Sequence, residues 1–361
     1  MILAEARRFM RAEAGTLYVV RKNHLLFAAA QNDRLADDTV TGQLLGRTLP
    51  LDRNSLAGYV AQTGEVVRID DTAHPPDGAP YRLNLDLDDL TGYRTRSLLA
   101  VPLRRPGGET VGVLELINHL DGDEPAPFPD ADACGILAMA SMAAVTIHNA
   151  LLQEEIRRAH FDTIVRLSQA AEFSDRLTGE HIRRMSRVSA LIAKGYGLDD
   201  ETVELIRYAS PMHDIGKIAI DHAILNKPGR LNESERKAIE RHTVIGASIL
   251  QDGDNDLLAM AHDVALLHHE QFGGGGYPEG RLGEAIPLAA RIVHLADVFD
   301  ALMSRRYYKP AYALDRSIAI VRELRDDHFD PAVVEAFYAV LDDVTALYPV
   351  GGEAETSSAN D

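Results

Sequence analysis

The residues of this chain best suited to chemistry are histidines with carboxylates beside them. Ten of its fourteen histidines lie from His160 onward. In order stand "TGEHIRR" with His181, "PMHDIGK" with His213, Asp214 and Lys217, "RHTVIGASIL" with His242, "LLHHEQFGGGGYPEG" with His268 and His269, and "ADVFDAL" with Asp297. Adjacent residues on a helix point about 100° apart, so His213-Asp214 and His268-His269 can each face one cavity from neighbouring angles. A carboxylate beside an imidazole can bridge two metals while the imidazole holds one of them. Lys217, one turn beyond His213 on the same face, is placed to meet an anion bound to the metals. A donor set of imidazole and carboxylate without thiolate suits iron, manganese or other first-row ions over a structural zinc.

Other histidines read as structural. His262-Asp263 repeats the dipeptide, but no Gly-Lys follows it. His222 and His328 read as capping or surface residues. His294, three residues before Asp297, reads as a core histidine, with support of a metal ligand as the alternative. The four glycines at 273–276 precede no Gly-Lys-Ser/Thr and no helix opens directly after them, which excludes a P-loop and a dinucleotide fingerprint. Glycine there permits positive φ and close backbone approach.

The elements that must position these residues change in kind near residue 134. Before it, "AGTLYVV" (14–20) and "LLFAAAQ" (25–31) flank a polar "RKNH" as a hairpin does, and "SLLAVPLRRPGGETVGVLELIN" (97–118) sets two apolar strands around a Pro-Gly-Gly turn. The polar segment 70–95 between them predicts a loop with a short helix. Residues 134–175 have no Pro and no Gly after Gly135, and predict a long helix in need of a partner. Beyond 160 nearly everything reads as helix. Asn232 and Glu235 form a capping-box pattern, and 287–304 opens with proline and keeps apolar residues at helical spacing. The polar stretch 349–361 predicts a disordered tail.

Bulk composition narrows the partners. With 361 residues the chain has room for two or three domains. A formal charge of −18 argues against a nucleic-acid polymer or an anionic membrane as main partner. The single cysteine, Cys134, rules out an intramolecular disulfide and fits a reducing compartment. The first residues do not read as a signal peptide, and no run of about 18 uninterrupted apolar residues predicts a membrane span. A cytoplasmic location is the expectation.

Two resemblances organise these signals. "NSLAGYVAQTGEVVRIDD" (54–71), "TGYRTRSLLAVPL" (91–103) and "GVLELINH" (112–119) resemble a GAF domain, a small sensory module. Of the signature of cyclic-nucleotide-binding GAF domains, Asn118, Phe128 and Asp132 match, while His119 and Ala133 stand where lysine and glutamate are expected. A dimerisation or relay role follows from that. The histidine blocks and Gly276-Tyr277-Pro278, across roughly 160–345, resemble the HD-GYP branch of metal-dependent phosphohydrolases.

The implied architecture is an α+β GAF domain (1–133), a connecting helix (134–175) that pairs with its copy in a homodimer, and an all-α HD-GYP domain (160–348). By the resemblance, His181, His213, Asp214 and Asp297 hold one divalent ion. Asp214, His242, His268 and His269 hold the second, and iron or manganese is implied. Two ions about 3.5–4 Å apart would acidify a water and hold a phosphate for in-line attack, with Lys217 neutralising a non-bridging oxygen. Arg306 and Lys309 in "SRRYYKPAY", with Tyr277 and Gly276, would bind cyclic di-GMP, which is opened to pGpG and cut further to GMP.

This chain departs from the family at two places. Gly273 replaces Asp or Asn in the glycine loop. Leu177 replaces the glutamate of members with a third metal, so two ions are expected, with Glu172 and Asp175 the nearby carboxylates able to compensate. A non-catalytic cyclic di-GMP sensor and a phosphohydrolase for another nucleotide are the competing readings.

Overall fold

The computed structural model describes residues 2–35, 42, 44–76, 78–83, 88, 92–130, 133–172, 179–251, 255–304 and 312–348. It divides into two compact units, residues 1–156 and 157–361.

The first unit is built on an antiparallel sheet: β1 (Ala12–Arg21), β2 (His24–Asn32), β3 (Thr48–Pro50), β4 (Val67–Ile69), β5 (Leu98–Arg104), β6 (Thr110–Asp121) and β7 (Glu124–Ala126). The strand order is β3-β2-β1-β6-β5-β4, with β7 on β6. Both hairpins expected from the sequence form. β1 and β2 pair down to Arg21 and His24, and β5 pairs with β6 through Leu98 and Ile117. Helix α1 (Ile2–Phe9) and the first turns of α3 (Ala133–Ala171) cover one face, burying Leu3, Met10, Leu116, Phe128 and Ile136. Helix α2 (Leu56–Thr63), capped by Ser55, covers the other and buries Leu25, Val60 and Val113. Because both faces are covered, β5 is a continuous apolar run without polar alternation.

Asn118 has a structural place here. At φ 55°, its Oδ1 accepts from the amides of Arg96 and Ser97 and its Nδ2 donates to Glu13 and Arg94 O. The short helix expected within 70–95 falls largely outside the described residues, as do Asp132 and the tail 349–361.

Helix α3 contains a window of mean hydropathy 1.6, enough by length and composition to cross a membrane. Ile136, Ala140, Ala143 and Ala144 pack into the sheet core, and 22% of the window is buried. The helix also carries Ser141, Thr146, His148 and Asn149.

The second unit is helical: α4 (Gly179–Gly195), α5 (Asp200–Ala209), α6 (His222–Leu225), α7 (Glu233–Leu250), α8 (Asp256–Leu267), α9 (Leu288–Met303), α10 (Leu314–Glu323), α11 (Pro331–Ala339) and α12 (Leu341–Thr345). Met185, Val188, Ile192, Val264, Ile292, Val293, Phe299 and Phe337 form its core. The capping box of α7 is present in both directions, Asn232 to Glu235 and back.

One local prediction fails. His213-Asp214 does not sit within a helix. Residues Ser210–Met212 and Ile215–Ala219 form two short 3₁₀ turns, and Asp214 lies between them at φ −103°, ψ 11°. Pro211 has no N–H to give Arg207 O, so the α-helix ends at Ala209. The hydroxyls of Ser186 and Ser210 donate to that carbonyl instead. The break turns Asp214 off the helical path and toward α7.

Candidate metal centre

Four helices and the 3₁₀ junction converge on Asp214. Donor atoms of Asp214, His242, His268 and His269 lie within 4.8 Å of one another, as do those of His181, His213 and Asp297. The first is one of the sets the resemblance implies; the second is the other set without Asp214, brought together from residues up to 116 positions apart. Asp214 faces both. Its Oδ1 lies 3.2 Å from His242 Nε2 and 3.8 Å from His268 Nε2, and its Oδ2 lies 3.2 Å from His213 Nε2. Asp297 Oδ1 stands 3.8 Å from His181 Nε2 and 4.0 Å from His213 Nε2.

The imidazoles are fixed from behind. Nδ1 of His213 donates to Ser210 O at 3.0 Å, that of His242 to Ile239 O at 2.6 Å, and that of His268 to Val264 O at 3.0 Å. With Nδ1 carrying the proton, Nε2 presents a lone pair. Nε2 of His213, His242 and His268, and Oδ1 of Asp214, are buried and make no hydrogen bond among the described residues. At Asp214 Oδ1 the lone pairs of His242 and His268 thus face a carboxylate oxygen, an arrangement that repels unless a cation lies between. The residues fit divalent metal ions.

Electrostatics divides the cluster. Burial works against a charged His213, but the carboxylates of Asp214, Asp297 and Glu172 outweigh it and raise its pKa to about 10. Burial pushes His268 well down and lowers His269 to about 3, so these donors are neutral. Burial opposes the charge of Asp214, yet Lys217 and His213 keep its carboxyl well below the usual range. Lys217 Nζ is 2.7 Å from Asp214 Oδ2.

Three residues support the cluster from behind, and the first two were not assigned roles from the sequence. Asp300, one turn after Asp297, is fully buried and accepts from His181 Nδ1 at 2.5 Å. It also accepts from Arg184, Ser304 and Tyr348. Burial alone would raise its pKa, but His181 and Arg184 hold it at about 2. Its place at helical spacing from Asp297 was the available signal. Glu270 is the second: buried, it accepts from the amides of Glu279, Gly280 and Arg281. It ties the glycine loop beneath the histidines and is not among the clustered ligands. The third is His294, buried, whose Nδ1 donates to His268 O. His262, by contrast, is half-buried beside Asp263 and outside the cluster.

The loop itself is held by backbone. A Cβ on Gly276 would fall 2.4 Å from Gln271 N and 2.5 Å from Glu270 Cα, so only glycine passes there. Gly273 donates to Asp327 O at 2.6 Å, and a Cβ there would meet that carbonyl at 2.9 Å. The Asp327 turn thus occupies the space of the side chain this chain lacks, and anchors the loop in its stead. Tyr277 stacks on His269, ring centroids 4.7 Å apart at 28°. Arg306, Lys309, Leu177 and Asp175 lie outside the described residues.

Comparison with known proteins agrees with this arrangement. Residues 1–147 match the family model of the GAF domain and residues 166–333 that of the HD domain. The chain is 41% identical over 218 residues to a protein of Xanthomonas campestris pv. campestris named cyclic di-GMP phosphodiesterase response regulator RpfG, covering 60% of this chain and 57% of that one. It is 41% identical over 208 residues to a cyclic di-GMP phosphodiesterase of Vibrio cholerae, covering 54% and 42%. A 3'3'-cGAMP-specific phosphodiesterase 2 of the same organism is 34% identical over 203 residues, covering 56% and 39%. The chain spans about half the length of these relatives.

Two outcomes follow from the geometry. Asp300→Asn lowers metal affinity roughly 10–100-fold, because His181 loses the partner that orients it and raises its basicity; a competition titration with a chelating dye measures it, and unchanged affinity contradicts the role. Metal binding below pH 10 must also displace the His213 proton. Apparent affinity then rises with pH, by up to about tenfold per unit, and calorimetry in buffers of different ionisation enthalpy shows about one proton released per chain.

Proposed function

We propose that this chain, in which a GAF domain precedes an HD domain, is a metal-dependent phosphodiesterase that opens cyclic di-GMP to linear pGpG. One observation carries the reading: Asp214 Oδ1 and the Nε2 atoms of His242 and His268 are buried, converge within 4.8 Å and have no hydrogen-bond partner among the described residues. His181, His213, Asp214 and Asp297 would hold one ion, and Asp214, His242, His268 and His269 the other, with iron or manganese the ions of this donor set. Divalent ions at such a centre supply Lewis acidity, which acidifies water and polarises a phosphodiester.

The chain's own groups do the rest. Lys217 sets a positive charge beside Asp214 Oδ2, where charge developing on a non-bridging phosphate oxygen is balanced. Burial pushes the Tyr277 phenol up, so it keeps its proton and offers a neutral donor beside His269. Gly276 lets the loop backbone close on the histidines. Arg306 and Lys309 supply the cations that a chain of net charge −18 needs to gather a dianionic ligand.

The sheet domain is the regulatory part of this reading. A cavity of about 150 Å³ lined by residues including Tyr18, Phe27, Leu56, Leu98 and Glu115 is the place for a small effector. Helix α3 supports a homodimer. Met142, Val145, Leu152 and Ile156 are exposed, and with Asn149 they repeat at spacings of three and four. That is the seam of a two-stranded coil, and a polar Asn within such a seam fixes register. We place the protein in the cytoplasm, where a single cysteine stays reduced.

Similarity to a relative named for 3'3'-cGAMP makes the second substrate worth equal testing. With Fe(II) or Mn(II) loaded anaerobically, the purified protein converts cyclic di-GMP to pGpG faster than it cleaves 3'3'-cGAMP, and Asp214→Ala slows turnover by roughly 10³-fold. Binding of metal and cyclic di-GMP without any turnover would favour the sensor reading; faster 3'3'-cGAMP cleavage would reassign the substrate. For the dimer, Leu152→Glu with Ile156→Glu gives a monomer in sedimentation analysis, and a wild-type protein that sediments as a monomer contradicts the seam.

A further inference from the structure

Glu172 follows directly on α3 and takes no part in the two ligand groups described above. It is 3% exposed, and neither of its carboxylate oxygens has a hydrogen-bond partner among the described residues. A carboxylate buried without donors is held only where something else satisfies it. The donor atoms within reach are those of His213 and Asp214, with which Glu172 forms a third group inside 4.8 Å.

This third group need not mean a third ion. His213 Nδ1 is spent on Ser210 O, so His213 has one lone pair, on Nε2, and one lone pair binds one ion. The group containing Glu172 and the group containing His181 both include His213. They converge on a single cation. We propose that Glu172 is a fifth donor to the ion held by His181, His213, Asp214 and Asp297, and that the two metal positions are therefore chemically unequal.

The inference rests on the metal-centre reading and sharpens it. One position has three carboxylates and two imidazoles. The other has three imidazoles and the shared Asp214. Oxygen-rich sets suit manganese, whereas imidazole-rich sets suit iron and later first-row ions. Glu172 supplies a carboxylate five residues before Leu177, a residue type that cannot ligate.

Manganese titration of metal-free protein, with unbound Mn(II) counted by its paramagnetic resonance signal, tests this without using activity. Wild type is expected to take up two ions per chain in two affinity classes. Glu172→Gln weakens one class by at least tenfold and leaves the other unchanged. The gain in melting temperature on adding Mn(II) shrinks in Glu172→Gln relative to wild type. Glu172→Asp keeps the charge but shortens the reach, and also weakens that class. Two ions bound to Glu172→Gln with wild-type affinities overturn the proposal, as does a melting loss equal with and without metal, which marks a structural role. A wild type that binds no Mn(II) or Fe(II) would overturn the metal centre itself.

Discussion

Asp214 presents one oxygen to His242 and His268, whose lone pairs point at it, and the other to His213 and Lys217. Acceptors do not face acceptors in a protein interior unless a cation holds them there. Much of the second unit is arranged to maintain that confrontation. Backbone carbonyls at Ser210, Ile239 and Val264 lock the tautomers, and Asp300 does the same for His181. Pro211 ends α5 so that Asp214 can leave the helical path, and two serine hydroxyls cover the carbonyl the proline abandons.

The same cluster separates into two electrical environments. Around His213 the carboxylates gather and raise its pKa, whereas around His268 and His269 burial among other imidazoles lowers theirs. Asp214 thus stands between a carboxylate-rich and an imidazole-rich side of one cluster. Glu270 and the Asp327 turn hold the glycine loop as the wall beside the imidazole-rich side.

Much of this was legible in the sequence, for a physical reason. Side chains able to ligate a metal are few in type, so the candidates His181, His213, Asp214, His242, His268, His269 and Asp297 stand out even when scattered, and the structure gathers all seven into two clusters. Strand hairpins and the Asn232 capping box are encoded locally, and they form as read. The local geometry at His213-Asp214 was misjudged because helical spacing was assumed through Pro211, whose missing donor ends the helix. Asp300 and Glu270 escaped notice since a buried carboxylate that serves amides or an imidazole looks, in sequence, like any other acid. Gly273 read as a loss, and only the approach of Asp327 explains why no side chain fits there.

The central claim, that cations lie on both sides of Asp214, is tested most directly by anomalous diffraction from crystals of the protein loaded with Mn(II) or Fe(II). Two anomalous peaks are predicted: one between Asp214 Oδ1 and the Nε2 atoms of His242 and His268, the other between Asp214 Oδ2, His213 and Asp297. A loaded crystal with no peak there, and with His242 Nε2 hydrogen-bonded directly to Asp214, would contradict the account.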